Sequence, residues 1–147
     1  MDFIEGLPMS DGKDKILVVV DRLTKYAHFI GVRKAKSAKE TTDFFCKIVY
    51  KLHGFPRIIV SGRYGEFKGN LWKEIHKQIG NSLNMSSSYH PKINGQVEIV
   101  NKCLETYLHR LITQNKNKWV QWLHLAEWWY NYAYHTSAKM TTFQSLY

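Results

Sequence analysis

The chain has 147 residues, of which 44% are hydrophobic, and this apolar mass is enough for one core and a single domain over residues 1–147. Its 21 Lys and Arg against 12 Asp and Glu give a formal net charge of +9, which favours nucleic acid as a partner; a merely basic surface is the alternative. Two distant cysteines exclude a disulfide framework or a zinc site, and the longest aliphatic run, residues 16–20, is too short to span a membrane. We expect an intracellular protein with no membrane partner and no small-molecule substrate.

The first third of the chain is predicted to form three strands. Residues 1–7 look like the tail of a strand cut from a longer polypeptide, and turn-forming residues follow at 8–12. Residues 16–20 are a short run rich in β-branched side chains, as in a strand buried on both faces, and residues 26–32 form the next strand after a tight connection. Three short strands in succession predict an antiparallel meander.

A helix and a further strand are predicted next. Ser37 and Glu40 form a capping box, apolar residues then recur with helical spacing, and Gly54 and Pro56 end the pattern. Residues 57–60 follow as a brief apolar run. Because the crossover between the strands is about twenty residues long, we expect this strand to pair in parallel.

The rest of the chain is predicted to be mainly helical. A short helix is expected at residues 71–79, an edge strand at 82–85, a long amphipathic helix at 93–111 and a last helix at 119–134. A mixed sheet followed by helices is the α/β pattern in which helices cover both faces of the sheet.

The last predicted helix is dense in aromatic residues. Its Trp and Tyr side chains could form a stacking platform for single-stranded bases, but their helical spacing and the interleaved leucines favour a buried helix or a subunit contact. The seven histidines never fall four residues apart or within a Cys/His cluster, so we expect no metal site on them.

Two carboxylates are candidates for chemistry. Asp2 lies in an apolar strand, where a buried carboxylate is usually paired or bound to a metal ion. Glu98 lies early in the long helix and shares a helix face with Asn94, Asn101 and Lys102. A metal ion or phosphate held by Glu98 would therefore have further donors within one turn.

Five sequence words together resemble the integrase catalytic core of gypsy-type long-terminal-repeat retrotransposons over nearly the whole chain. In family order they are MDFIEGLP at residues 1–8, VDRLTKYAHF at 20–29, LHGFP at 52–56, YHP with GQ and a glutamate at 89–98, and WYN at 129–131. The resemblance implies a ribonuclease H-like fold, with a mixed five-stranded sheet of three antiparallel strands and then parallel strands, and helices on both faces. It also implies a polynucleotidyl transferase that trims DNA 3′ ends and joins them to target DNA.

The resemblance places the catalytic, metal-binding residues at Asp2 and Glu98, with a gap at the third position. In the family, two aspartates and a glutamate hold two divalent cations, Mg²⁺ or Mn²⁺. The family word Val-Ser-Asp-Arg reads VSGR at residues 60–63 here, and counting 35 intervening residues back from Glu98 also reaches Gly62. Because glycine has no side-chain ligand oxygen, we expect weakened metal binding and an inactive or severely impaired enzyme.

We expect no neighbouring carboxylate to rescue the site. Asp21 is interpreted as a strand-end or turn carboxylate, and Glu66 as a solvated loop charge. Four further departures from the family alter the wall of the DNA-facing loop without removing it: Lys92, Ile93, Asn94 and Val97.

DNA is the partner that the resemblance implies, in a nuclear protein that can form a homodimer. The residues expected to bind nucleic acid are Arg63, Lys68, Lys92, Asn94, Gln96, Asn101 and Lys102. The chain resembles a core truncated at its first strand and after its last helix, without the family's zinc-binding and C-terminal domains. The alternatives are a non-catalytic DNA-binding or protein-interaction module, or a decayed fragment of the element without function.

Overall fold

A three-stranded antiparallel sheet lies at the centre of the fold in the computed structural model. Its strands are β1 (Asp2–Ile4), β2 (Lys15–Val20) and β3 (Ala27–Val32), in the order β1-β2-β3, which confirms the predicted meander. The structure describes residues 1–21, 23–33, 38–54, 58–59, 73–75, 77, 86–87, 91–113, 115–135 and 140–141.

A two-residue turn precedes β2, within the region predicted to turn. Ser10 and Lys13 exchange two backbone hydrogen bonds of 2.9 Å each. Between them, Asp11 and Gly12 have φ angles of 48° and 72°, as a type I′ turn requires, and Asp-Gly is a preferred pair for that turn. The turn buries Ser10, which has a role at a distant helix described below.

One face of the sheet is covered by the helical segment that follows β3. Helix α1 (Ala38–Phe45) continues into a π-helical segment, Cys46–Tyr50, and a last turn, α2 (Lys51–His53). Gly54, with φ of 70°, ends the segment as predicted, whereas the π-helical segment was not predicted and the capping Ser37 lies outside the described residues. Apolar side chains of this layer and of β1 to β3 form one core cluster with Met1 and with Ile75 of the helical residues 73–75; its other members are Phe3, Leu17, Val19, Ile30, Val32, Phe45 and Val49.

The two long helices predicted at the end of the chain cover the opposite face. They are α3 (Pro91–Ile112) and α4 (Trp119–Tyr132), and both predictions are confirmed. Their apolar stripes pack against the other side of the same strands in a second core cluster: Ile4, Ile16, Val18, Ala27, Phe29, Val100, Leu104, Leu108, Trp119, Leu123, Ala126 and Tyr130. Helices therefore lie on both faces of the sheet, as expected.

The start of α4 is anchored to the turn before β2. The Trp119 indole Nε1–H donates to the carbonyl oxygen of Pro8 at 2.6 Å, and the backbone N–H of Val120 donates to Ser10 Oγ at 3.2 Å. Since the first N–H groups of a helix have no partner inside it, Ser10 acts as a capping acceptor supplied from 110 residues away.

Side chains of α4 also cover the free edge of β3. Asn131 bonds to both backbone groups of Ala27, and Glu127 Oε2 accepts from the backbone N–H of Phe29 at 2.8 Å. These polar groups point away from β2 and would otherwise present an unpaired strand edge.

The remaining strands form separate pairs in the described part of the chain. Strand β4 (Ile58–Ile59) pairs in parallel with β5 (Ser86–Ser87), and β6 (Tyr134–His135) pairs antiparallel with β7 (Met140–Thr141), a hairpin that was not predicted. The α/β architecture is thus established, while one continuous five-stranded sheet is not. The edge strand predicted at 82–85 lies outside the described residues, and those described within the short helix predicted at 71–79, residues 73–75 and 77, are helical. Among the described helices, none is long and apolar enough to cross a membrane.

Candidate active site

Asp2 lies on the face of the sheet that α3 and α4 cover. Strand β1 pairs Asp2 with Val18 and Ile4 with Ile16, and the alternation of a strand puts these four side chains on one face. Val18, Ile4 and Ile16 belong to the core cluster on that face, so the carboxylate of Asp2 lies at the edge of an apolar layer. Its half-buried position agrees with the sequence-based expectation.

Helix α3 contacts the carboxylate directly through Asn101. The Asn101 Nδ2–H donates to Asp2 Oδ2 at 3.3 Å, and the backbone N–H of Phe3 donates to Asp2 Oδ1 at 2.9 Å. Each carboxylate oxygen therefore has a donor, one from the next residue of β1 and one from α3, which fixes the plane of the group.

Glu98 lies one helical turn before Asn101 on α3. Three residues correspond to a rise of about 4.5 Å, and residues three and four apart share a helix face. Glu98 is thus one turn along α3 from the residue that contacts Asp2, and the Lys102 side chain is exposed. The side chain of Glu98 lies outside the described residues.

The Asn101 amide oxygen is a buried polar atom that finds no hydrogen-bond donor among the described residues. A buried acceptor without a partner costs about 1–3 kcal/mol, and an oxygen placed beside a carboxylate is chemically suited to contact a cation. Carboxylate and amide oxygens suit hard cations such as Mg²⁺ and Mn²⁺. The donor set therefore fits the predicted divalent ion, although the described residues contain no group of three or more His, Cys, Asp or Glu that could hold one.

The remaining predicted site residues are only partly described. Gly62, Arg63 and Lys68 lie outside the described residues, as does Glu66. The backbones of Lys92, Asn94 and Gln96 lie in the first turns of α3, but their side chains lie outside the description.

Asp21 is a turn residue, as interpreted from the sequence. Its carboxylate accepts hydrogen bonds from the backbone N–H groups of Leu23 and Thr24, at 3.3 and 3.2 Å, and from Thr24 Oγ1 at 2.6 Å. Partial burial would raise the pKa of Asp21, but the hydrogen bonds from Thr24 and Leu23 outweigh it and lower the pKa. The carboxylate is thus used within the connection between β2 and β3.

Helix α4 divides its aromatic side chains between the core and the surface. Trp119 and Tyr130 are buried, and burial raises the pKa of Tyr130 to about 12. On the other side, Trp122, Trp128 and Tyr132 are 41%, 60% and 60% exposed. The expectation of a buried helix is therefore correct for one face only, because 14 residues present more aromatic surface than one core can cover.

Sequence reasoning missed two links between α4 and β3. Glu127 bonds to Phe29 and Asn131 bonds to Ala27. In addition, the side chain of His28 contacts that of His53, 25 positions away in the sequence. The sequence did contain one hint, because Ala27 and His28 belong to one of the words shared with the integrase family and Asn131 belongs to another. The spacing of such words along the chain does not show, however, which of their residues are in contact.

Comparison with curated proteins finds retrotransposon polyproteins. No family model matches the chain. It is 32% identical over 144 residues to the Transposon Tf2-3 and Tf2-4 polyproteins of Schizosaccharomyces pombe, an alignment that covers 98% of this chain and 11% of each polyprotein. The chain thus spans about a tenth of the length of these relatives.

Solved structures share the fold at low sequence identity. A chain of the simian T-cell lymphotropic virus intasome in complex with the PP2A regulatory subunit B56 gamma matches with a TM-score of 0.75 and 18% identity, over 99% of this chain and 53% of that one. The HTLV-2 integrase catalytic core domain with magnesium matches with TM-scores of 0.71 in its trimeric form and 0.70 in its dimeric form, at 17% and 18% identity. Each covers 99% of this chain and 94% of the other. The resemblance stated from the sequence words is confirmed at the level of a retrotransposon polyprotein with an integrase-core fold.

Proposed function

We propose that this chain, homologous to a segment of the Tf2 retrotransposon polyproteins and sharing the fold of retroviral integrase cores, is the integrase catalytic-core domain of a gypsy-type long-terminal-repeat retrotransposon. The reaction of such a domain is metal-dependent processing of DNA 3′ ends and their transfer to target DNA. The observation that carries the proposal is the hydrogen bond between Asn101 and Asp2, because it joins the first predicted ligand to the helix that bears Glu98.

Asp2 and Glu98 would hold Mg²⁺ or Mn²⁺, with the Asn101 amide oxygen as a further donor to the ion or its water shell. When bound, such cations activate the attacking oxygen and stabilise the leaving one. The protein itself contributes by orienting Asp2. The Phe3 N–H and the Asn101 Nδ2–H hold the two carboxylate oxygens of Asp2 in place. This supports Asn101 as a positioning residue for Asp2.

We further propose that the reaction is severely impaired in this chain. Gly62 stands at the position of the second family aspartate, so one anionic ligand is lost from a site that depends on two ions. Asp21, which we considered as a replacement, is held in its own turn by Thr24.

A strand-transfer assay with Mg²⁺ or Mn²⁺ tests both proposals. The wild-type chain is expected to give little or no product, and Gly62→Asp is expected to restore product that depends on Glu98. Robust wild-type activity that Glu98→Gln abolishes would contradict the impairment, while failure of Gly62→Asp to gain activity on a folded protein would count against position 62 as the missing ligand.

A non-catalytic DNA-binding module is the second candidate, favoured by the net charge of +9 and by the exposed Lys102 beside Asn101. Each phosphate neutralised by a basic side chain releases counterions, so affinity for DNA should fall steeply with salt. Lys102→Ala is expected to reduce the slope of log affinity against log salt concentration by about one. Lys116→Ala, in the exposed connection before α4, is the matched control. Absence of DNA binding at low salt would remove this candidate and leave a decayed fragment or a protein-interaction module.

We propose a homodimer formed through the exposed face of α4. Leu125, Trp128 and Tyr132 follow each other at helical spacing and are 39%, 60% and 60% exposed, and the Trp128 and Tyr132 rings stack with centroids 5.2 Å apart. An apolar stripe of this kind on a helix is typical of a subunit contact. The dimeric form of the HTLV-2 core supports a dimer as such, and the exposed apolar stripe is the reason to place the contact on α4.

The remaining expectations are proposals of the same kind. We propose that β4 and β5 continue the sheet of β1 to β3 into one mixed five-stranded sheet of the ribonuclease H type, over one domain at residues 1–147. We also propose that the protein acts in the nucleus, where target DNA lies.

A further inference from the structure

A chain of three side chains runs around the free edge of β3. His28 Nδ1 lies 3.1 Å from Glu127 Oε1, and His28 Nε2 lies 2.7 Å from His53 Nε2. Glu127 comes from α4, His28 from β3 and His53 from the end of α2. His28 is 4% exposed and His53 is exposed, so the contact joins a buried imidazole to one at the surface.

These three residues connect the two helical layers. Along β3 the side chains of His28, Ile30 and Val32 point to the layer of α1, while Ala27 and Phe29 point to the layer of α3 and α4. Glu127 reaches past the strand edge, where its other oxygen accepts from Phe29 N–H. The end of the α1–α2 segment is thus linked to α4 through one histidine.

The partners of the two imidazoles determine where their hydrogens lie. Glu127 accepts from both His28 Nδ1–H and Phe29 N–H, so neutral His28 carries its hydrogen on Nδ1 and accepts at Nε2. His53 Nε2–H then donates to His28. One added proton can be accommodated, either on His53 Nδ1 or on His28 Nε2 with the hydrogen of His53 moved to Nδ1. Two added protons would place hydrogens on both Nε2 atoms, and a separation of 2.7 Å has room for only one.

Charged and titratable groups face the pair, and the carboxylates among them favour the protonated imidazoles while burial opposes them. Among the described residues, the groups that face the pair are the Glu127 carboxylate from α4, the Asp21 carboxylate from the β2–β3 connection, and the Tyr26 phenol, whose ring centroid lies 5.1 Å from that of His28 and 5.6 Å from that of His53. Burial first, and then His28, lowers the pKa of His53 from its usual 6.5, while Asp21 opposes the shift.

We propose that the contact between His28 and His53 is a proton-controlled clasp, which ties the end of the α1–α2 segment to β3 at neutral pH and opens when both imidazoles are protonated. Opening frees His53 and its turn, whose last hydrogen bond runs from Gly54 N–H to the Tyr50 carbonyl oxygen at 2.9 Å. The chain continues from this turn to β4 and then to Gly62, so the clasp sits at the start of the segment that leads to the candidate site. Neither metal nor DNA is needed for it.

Nitrogen-detected imidazole NMR over a titration from about pH 8 to about pH 5 tests the clasp in the intact chain. Coupled protonation predicts two macroscopic steps separated by at least about one pH unit for the pair. In parallel, the hydrogen-exchange protection of Gly54 N–H should fall at least about tenfold as the second step is passed.

His53→Gln keeps a side-chain donor but cannot titrate, so the acid-induced loss of protection at Gly54 should disappear in that variant and persist in the matched control His109→Gln. Two independent steps at ordinary pKa values, or an unchanged pH response in His53→Gln, would overturn the clasp. The wild-type titration decides the matter if that variant is unstable. Zinc alone, added at neutral pH, gives a separate check: stabilisation of the wild-type chain that His53→Gln abolishes would mean a metal site in place of the clasp.

Discussion

The side-chain amide of Asn131 takes the place of a neighbouring strand for Ala27. Asn131 Oδ1 accepts from Ala27 N–H and Asn131 Nδ2–H donates to the Ala27 carbonyl oxygen, each at 2.8 Å. Both residues are buried, so these backbone groups have no access to water as a substitute partner. One residue of α4 thereby closes the edge of β3 to pairing with another chain.

Removing this amide should destabilise the fold strongly. Asn131→Ala leaves a buried N–H and a buried C=O without these bonds, so we expect the free energy of unfolding to fall by about 2–3 kcal/mol in chemical denaturation. Asn117→Ala, at an exposed asparagine before α4, should change it by less than about 0.5 kcal/mol. Equal effects of the two variants would show that the amide pair does not stabilise the edge.

The capping contact of Ser10 should be measurable despite its distance in sequence. Ser10→Ala removes the acceptor for Val120 N–H at the start of α4, and we expect a loss of about 1 kcal/mol in the free energy of unfolding. Thr106→Ala is the control, because that exposed hydroxyl only donates back to the Lys102 carbonyl within α3. A Ser10→Ala variant as stable as the wild-type chain would refute the capping role.

Metal binding should return when the missing carboxylate is restored. Thermal unfolding of Gly62→Asp in saturating Mg²⁺ or Mn²⁺ is expected to show stabilisation, by about 2.7 kcal/mol at 100 times the dissociation constant, with little change in the wild-type chain. Asp2→Asn added to Gly62→Asp should abolish the gain. Equal stabilisation of wild type and Gly62→Asp would instead mean that position 62 is not a ligand.

The exposed aromatic face of α4 should control self-association. Trp128→Glu puts a charge into the proposed contact, and we expect the dimer dissociation constant from analytical ultracentrifugation to rise by at least about thirtyfold. Leu23→Glu is the matched control, because Leu23 is 85% exposed in the β2–β3 connection. A monomeric wild-type chain, or dimers unaffected by Trp128→Glu, would exclude this face as the interface.

Local patterns predicted most of the described elements of this fold. Helical spacing in α3, the apolar run of β2 and the glycine that ends α2 each depend on neighbours within a few residues, and the structure reproduces them. The π-helical segment at Cys46–Tyr50 and the β6–β7 hairpin escaped prediction, because two-residue strands and a single extra residue per turn leave no periodic signal.

The sequence by itself determined the order of the elements, the family resemblance and the absence of a carboxylate at Gly62, because each can be read from neighbouring residues or matched words. Only the tertiary structure decided that Asp2 meets Asn101, that Asn131 closes the edge at Ala27, and that two of seven scattered histidines touch. A repeating pattern gives a helix or strand its apolar face but not its partner. The partner is selected when about a hundred residues of intervening chain fold and bury those faces together.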